Sequence, residues 1–122
     1  MKHKLVLLVL SCFLFYCKSA TAQTSIEMNN QGLVKYKAKD YPGALADFNK
    51  AVQLDAKNEK ALHNRGLAKY AMKDFAGSIA DQTQAIAINP AYSNAYNDRG
   101  MANFSELFRA LSRLGSWPAL FL

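Results

Sequence analysis

The chain repeats itself every 34 residues. Gly32, Gly66 and Gly100 fall on one another when the sequence is shifted by that interval. The neighbouring positions match as well: Met28, Leu62 and Tyr96; Leu33, Leu67 and Met101; Tyr36, Tyr70 and Phe104. Because such a segment is too short for an independent domain, each copy should be one supersecondary unit that buries its apolar face only against its neighbours.

Within each copy, apolar residues recur at steps of three and four in two series, which is helix periodicity. Residues 40–43 supply turn chemistry between the series of the first copy, and Pro42 suits the first turn of a second helix. Residues 73–74 take this place in the second copy. Residues 55–58 and 89–90 then separate one copy from the next, so each copy is predicted to be an αα-hairpin.

These residues resemble the tetratricopeptide repeat (TPR) family, in which a large apolar residue, Gly, an aromatic, a turn, small alanines and a closing Pro follow one another. The matching residues of the second copy are Leu62, Gly66, Tyr70, Asp74, Phe75, Ala85 and Pro90. The resemblance implies an all-α fold, a TPR-type αα-hairpin solenoid with two complete repeats plus a partial third. Gln82 stands where the first copy has Phe48, and we expect it to pack the second helix of its repeat more weakly.

The domain boundaries follow from the period. We expect TPR repeat 1 at residues 25–58 and TPR repeat 2 at residues 59–92, then a partial third repeat with an apolar tail at residues 93–122. Each repeat carries a glycine inside its first helix, where Gly costs up to about 1 kcal/mol relative to Ala. Close approach of a neighbouring helix is the expected compensation at all three glycines.

The N-terminus has a different character. Lys2 and Lys4 precede the apolar residues 5–17, and the small residues Ala20 and Ala22 follow. This order predicts a secretory signal peptide cleaved after Ala22. The apolar run of 13 residues is short for a membrane span, which needs about 20.

We therefore expect residues 1–22 to be a signal peptide, and the chain to be exported to the periplasm or secreted. An uncleaved membrane anchor is the main alternative. A lipidated Cys12 is a weaker one, because the apolar run before it is very short. The membrane would then be a partner only through this N-terminus.

Cleavage would also change the charge of the chain. It removes three lysines, so 12 Lys and Arg against 9 Asp and Glu leave a net charge of +3, where the full chain has +6. Both cysteines leave too, and no disulfide could then form. The remaining basic residues are scattered among acidic ones, which argues against a nucleic-acid partner.

No pattern of catalytic residues emerges. His63 would be the only histidine of the cleaved chain, and Asp40, Asp47, Asp74 and Asp81 recur at equivalent repeat positions, which favours structural roles. Neither metal-ligand spacing nor a phosphate-binding loop is present. We therefore expect no enzyme activity, no cofactor and no metal.

A binding surface remains. In TPR proteins the first helix of each hairpin lines the concave face, and matching positions give a partner-binding groove for a protein or peptide. Its residues would be Asn29, Leu33, Tyr36, Lys37, His63, Leu67, Tyr70, Ala71, Asn97, Met101 and Phe104. Tyr36, Tyr70 and Phe104 form an aromatic column, which either contacts the partner or only fills space between hairpins.

One ligand class of the family is disfavoured. Some members hold the C-terminal carboxylate of a chaperone peptide with a clamp of Lys, Asn and Arg. Only Asn64 matches that clamp here, and the other clamp positions hold Asn29, Leu33, Asn94 and Asp98. Because Asp98 carries the wrong charge, we do not expect a chaperone-tail receptor.

The repeat pattern stops after Phe104. Residues 105–114 lack turn chemistry, so we expect the first helix of the third copy to run on to Leu114 and to end at Gly115, before an apolar tail at 116–122. The tail folds back, docks on something, or marks a truncated or frame-shifted longer array, which we favour. The sequence thus predicts an exported non-catalytic scaffold; the alternatives are a structural or self-associating module and a fragment of a longer TPR protein.

Overall fold

The chain folds into five α-helices, seen in a computed structural model that describes residues 2–115, with the side chains of residues 12–23 outside the described part. Their bounds are α1 Lys2–Lys37, α2 Tyr41–Leu54, α3 Glu59–Ala71, α4 Phe75–Ile88 and α5 Ser93–Arg113. Helices α1 and α2 pack as one hairpin, α3 and α4 as a second, and α5 packs on α4. The predicted all-α hairpin solenoid is confirmed.

The two hairpin turns share one local geometry. Lys39 and Lys73 have φ of 63° and 64°, the left-handed conformation that reverses the chain. The next residue, Asp40 or Asp74, caps the following helix by accepting a hydrogen bond from the amide of Gly43 at 3.0 Å or of Gly77 at 2.9 Å.

The hairpin turn between α1 and α2 ends earlier in the sequence than predicted. Residues 41–43, expected in the turn, form the first turn of α2, because the Asp40 cap satisfies a free amide there and Pro42 fits the helix start. The prediction for Pro42 itself is confirmed.

The hairpins are joined by short polar connections. Asn58 caps α3 through a hydrogen bond from the amide of Ala61 at 3.0 Å, and its side chain also donates to Ser25 Oγ at 3.1 Å. Ser25 in turn donates to the carbonyl of Ala51 at 2.9 Å. This buried chain of bonds fixes α1 to the end of α2 and to the start of α3.

Close helix approach occurs at two of the three repeat glycines. A Cβ on Gly32 would stand 2.5 Å from the Phe48 ring, and one on Gly66 would stand 2.6 Å from the side-chain nitrogen of Gln82. Gly100 is different, because no atom lies within 4 Å of its Cβ position. The expectation of close approach is therefore wrong for Gly100, since no described helix packs against that face of α5.

The core is small and rich in alanine. One buried cluster combines Ala44, Phe48 and Ala68, and a second combines Leu62, Ala85 and Ala95. Alanines allow the helix backbones to lie near one another, so burial comes from short interhelical distances as much as from large side chains. Partly buried side chains surround the clusters: Leu33, Tyr36, Leu45, Val52, Ile86 and Tyr92.

Gln82 does not loosen the second hairpin. It is fully buried, its amide nitrogen donates to the carbonyl of His63 at 3.2 Å, and its amide oxygen lies 2.9 Å from His63 Nδ1. The expected weaker packing at this position is wrong, because the amide fills the space above Gly66 and satisfies its hydrogen bonds inside the hairpin.

The first turns of α1 stand apart from this core. The apolar side chains of residues 5–10 are exposed, and Ser25 is the first fully buried side chain that the structure describes. Within the described residues, none of the helices has the length and apolar character needed to span a membrane. Cys12, Ala22 and residues 116–122, which carry the predictions of lipidation, cleavage and an apolar tail, have side chains outside the described part.

The end of α5, the first helix of the third repeat, agrees with the sequence. Helix α5 ends at Arg113, Leu114 caps it, and Gly115 has a φ of 64°. The left-handed conformation of Gly115 is the common way to end a helix. The predicted continuation of this helix to Leu114 and its stop at Gly115 are confirmed.

The glycines give a matched pair of variants. Gly66→Ala should lower the free energy of unfolding by about 1–3 kcal/mol, because Gln82 is held by hydrogen bonds and cannot easily make room for the added methyl group. Both variants are measured at low protein concentration, where the chain is monomeric. Gly100→Ala should raise it by about 0.5–1 kcal/mol, because Ala favours a helix and its Cβ meets nothing. Urea denaturation of both variants measures the difference, and equal effects would contradict the distinction between the two sites.

Candidate functional site

The predicted groove residues lie on three helices that the structure holds side by side. The amide of Asn64 on α3 donates to the side-chain oxygen of Asn29 on α1 at 2.8 Å. At the other side, the hydroxyl groups of Tyr70 on α3 and Ser105 on α5 are 3.0 Å apart. These two hydrogen bonds join the first helices of successive repeats into one surface.

The predicted residues differ in how much of each is accessible. Asn29 and His63 are buried, at 7% and 6% exposure, and belong to the floor of this surface. Leu33, Tyr36, Leu67, Tyr70 and Ala71 are half-buried. Four predicted residues are exposed: Lys37, Asn97, Met101 and Phe104. Contact between these residues and a partner stays a prediction.

His63 is a junction between three helices. Its Nδ1 lies 2.9 Å from Gln82 Oε1 on α4, its Nε2 lies 3.6 Å from Asp98 Oδ2 on α5, and its ring tilts against Tyr92 at a centroid distance of 5.0 Å. Nδ1 is thus hydrogen-bonded inside the fold, and Nε2 faces a carboxylate of the next repeat. Among the residues that the structure describes, no group of three His, Cys, Asp or Glu side chains could hold a metal ion.

Two rings of the aromatic column pack within their own hairpins. Tyr36 meets Tyr41 edge-on at 5.3 Å between centroids, and Tyr70 meets Phe75 at 5.2 Å. In the third repeat the position equivalent to Phe75 is Arg109, whose guanidinium lies 5.2 Å from the centroid of Phe75 itself. Phe104 remains 70% exposed. Packing explains the two tyrosines, and Phe104 is the member of the column that is open to a partner.

A cavity of about 550 Å³ opens beside Phe104. It gathers four of the predicted residues, Tyr70, Asn97, Met101 and Phe104, together with Tyr96, Gly100 and Ser105. A smaller cavity of about 380 Å³ lies on the other side of the Phe104 ring, lined by Lys73, Phe75, Phe104, Ser105, Phe108, Arg109 and Ser112. The third repeat therefore offers the most accessible apolar surface of the site.

Sequence reasoning missed a buried ion network behind the groove. Asp81, 1% exposed, binds Arg65 through two hydrogen bonds of 2.6 and 2.9 Å and pairs with Lys69 at 2.9 Å. Its equivalent in the first repeat, Asp47, pairs with Lys35 at 2.8 Å. The period could have revealed these pairs, because Lys35 and Lys69 are 34 residues apart, as are the two aspartates.

Asp98 places a carboxylate beside His63 on the floor of the groove. Burial raises the pKa of Tyr36 above its ordinary value, and the charges of Tyr41 and Asp98 raise it further. Burial likewise raises the pKa of Tyr92, with added contributions from Glu59 and Asp98. A carboxylate that both tyrosines sense gives this part of the groove a negative charge.

Comparison with known proteins agrees with this architecture. The family profile described as TPR repeat matches residues 32–73. The first TPR of Spaghetti (RPAP3), solved with the HSP90 peptide SRMEEVD, is 30% identical with a TM-score of 0.68, and the match covers 69% of this chain and 67% of that one. The chain belongs to the tetratricopeptide repeat family. The family and these structures are, in general, non-catalytic protein-interaction domains.

Two further tetratricopeptide structures are comparably similar. The Arabidopsis OM64 TPR domain is 28% identical with a TM-score of 0.70, and the match covers 71% of this chain and 72% of that one. The first TPR domain of human RPAP3 is 28% identical with a TM-score of 0.68, covering 70% and 68%. Among proteins of curated function, none matches the sequence significantly.

The ion network of this tetratricopeptide array can be tested by two equivalent variants. Asp81→Asn should lower the free energy of unfolding by about 2 kcal/mol, because it leaves the largely buried Arg65 and Lys69 without a counter-charge. Asp47→Asn should cost less than about 1 kcal/mol, because Lys35 is 44% exposed and can turn to solvent. Chemical denaturation measures both, and an Asp47 variant that is the less stable of the two would contradict this ranking.

The tyrosines predict a dependence of stability on alkaline pH. Their folded pKa values lie above the ordinary 10.0, so the unfolded chain loses these protons first. Their contribution to stability is complete below pH 10 and is lost as the pH rises through the folded pKa. The double variant Tyr36→Phe, Tyr92→Phe should therefore show a shallower fall in unfolding free energy between pH 9 and about 11.

Urea denaturation at each pH gives this slope. Tyr96→Phe, which removes a more exposed hydroxyl, is the matched control. A double variant whose stability falls as steeply as that of the unmodified chain would show that the two tyrosines do not cause the alkaline loss.

Proposed function

We propose that the chain is a non-catalytic scaffold that holds a peptide segment of a partner protein on the surface of α1, α3 and α5. The observation that carries this proposal is the cavity beside Phe104, where the exposed Asn97 and Met101 meet the half-buried Tyr70. Concave surfaces with apolar walls and a few polar groups are typical of binding sites. In the part of the chain that the structure describes, no hydrogen bond or ion pair involves the side chain of Asn97 or Met101, whereas the buried Asn29 and His63 are already hydrogen-bonded.

The ligand that we propose is an internal peptide segment with an apolar anchor, and not an acidic C-terminus. The HSP90 peptide in the RPAP3 complex, SRMEEVD, is acidic. In this chain Asn29 and Asn64 bond to each other, and Asp98 brings a negative charge to the groove. Like charges would repel at this position, and the amide pair offers no cation to a terminal carboxylate.

The groove is tested by peptides selected against the unmodified chain from a random phage-displayed library. Met101→Glu should weaken binding of a selected peptide at least tenfold, because it places a charge in the cavity wall. Asn103→Glu adds the same charge on the same helix, on an exposed position that does not line either cavity, and should leave binding unchanged.

Titration calorimetry measures both affinities. Equal binding by the two variants would overturn the groove as the peptide site. The peptide SRMEEVD is expected not to bind, and micromolar binding of it would contradict the proposed ligand class.

We also propose that the chain is exported, with residues 1–22 acting as its signal peptide. The positive residues, the apolar run and the small residues before Gln23 carry this proposal. The fold is compatible with it, because the apolar side chains of residues 5–10 are exposed and Ser25 is the first fully buried side chain that the structure describes. Cleavage after Ala22 would leave the Ser25 bonds to Ala51 and Asn58 in place.

Expression in bacteria followed by intact-mass analysis of the exported fraction tests this. The expected product begins at Gln23, and Ala22→Asp should block processing, because signal peptidase requires a small residue there. A full-length mass in the membrane fraction would instead indicate an uncleaved anchor, and a lipid adduct on Cys12 would indicate lipidation; either result overturns the proposed cleavage.

A further inference from the structure

Helix α5 carries a largely apolar stripe on the side opposite its contact with α4. Its buried alanines, Ala95 and Ala102, face the core. On the opposite side, residues recur at alternating steps of three and four, the spacing of a helix that packs lengthwise on another helix. This α5 seam consists of Asn97, Gly100, Phe104, Leu107, Leu111 and Leu114.

Most of the seam is exposed in the described part of the chain, and Leu111 is half-buried. Phe104, Leu107 and Leu114 are 70%, 58% and 74% exposed, and nothing lies within 4 Å of the Cβ position of Gly100. The two complete hairpins show what normally occupies such a glycine. In each of them an antiparallel helix places one side chain, Phe48 or Gln82, directly over the glycine of the first helix.

The seam contains both halves of such a contact. Gly100 is the notch, and the exposed ring of Phe104 is a projection one helical turn away, about 6 Å along the axis. Suppose that two copies of α5 lie antiparallel with their seams together, and that the two-fold axis passes at the height of Ala102 along the helix. Phe104 of each copy is then level with Gly100 of the other. One symmetric arrangement therefore fills both notches, as self-complementary dimer interfaces do.

We propose that the α5 seam is a homodimer interface in which Phe104 of each copy sits over Gly100 of the other. The exposed parts of the apolar side chains on and beside the seam amount to roughly 500 Å² per copy, so that two copies reach about the 1,000 Å² in total that a specific interface needs. Tyr96 flanks the seam at 44% exposure and would extend the contact. The interface shares Asn97, Gly100 and Phe104 with the larger cavity, so a second copy and a peptide would compete for this part of α5.

The register is tested by photo-crosslinking in the full chain, kept in mild detergent to cover its apolar N-terminal residues. Benzoylphenylalanine replaces Phe104, and unlabelled chain is mixed with ¹⁵N-labelled chain. We expect crosslinks between labelled and unlabelled chains at Gly100 or its direct neighbours. Crosslinks confined to one chain, as a fold-back of residues 116–122 would give, or crosslinks to other sites overturn the interface. The same probe at Val34, exposed on α1, is the control and should not reach α5.

A second pair of variants separates association from folding. Gly100→Leu should weaken dimerisation at least tenfold, because its side chain fills the notch, yet the monomer should fold since no atom lies near its Cβ. Asn103→Leu adds the same side chain to an exposed position off the seam and should leave the dimer constant within twofold. Sedimentation equilibrium measures both constants and circular dichroism checks folding; an undiminished dimer of the folded Gly100 variant overturns the proposal.

Discussion

The close approach of two helices at a glycine is the constraint on which this fold depends. At Gly32 and Gly66 the second helix of the hairpin comes so near that a methyl group would overlap Phe48 or Gln82. The glycine lowers the stability of its own helix, and this loss is offset by the packing of the facing side chain directly against the helix backbone. Three other features are consistent with helices packed this closely: the alanine-rich clusters, the left-handed turn before each aspartate cap, and the hydrogen bonds between successive first helices.

Polar groups do much of the work that large apolar side chains do elsewhere. Gln82 replaces an aromatic and keeps its amide satisfied by His63, and His63 connects three helices. Asp81 holds Arg65 and Lys69 behind the groove. A buried polar group is stabilising only when its partners are in place, so these networks fix the positions of the helices more strictly than apolar contacts of the same size would.

The third repeat shows what happens when the constraint is absent. Helix α5 continues to Arg113, and its glycine has no neighbour among the described residues. Its outer side then exposes Phe104 and Leu107, while its inner side still packs on α4. Apart from the exposed residues 5–10 of α1, the accessible large apolar side chains of the described residues are therefore concentrated at this end, where the two cavities also lie. Both the peptide site and the dimer interface that we propose use this repeat, and they share Asn97, Gly100 and Phe104 of α5.

The sequence by itself determined the repeat, the helices, the turns and the end of α5, because these follow from local spacing, caps and glycine conformation. It also put the predicted groove residues on α1, α3 and α5, which lie side by side, since residues at equivalent repeat positions take equivalent places. Only the tertiary structure decided which of those residues are accessible. Asn29 and His63 are buried and form internal hydrogen bonds, whereas Met101 and Phe104 are exposed to solvent. It likewise decided that Gln82 packs well and that Gly100 packs against nothing. These outcomes depend on which side chain another helix brings to a position, and a single repeat does not contain that information.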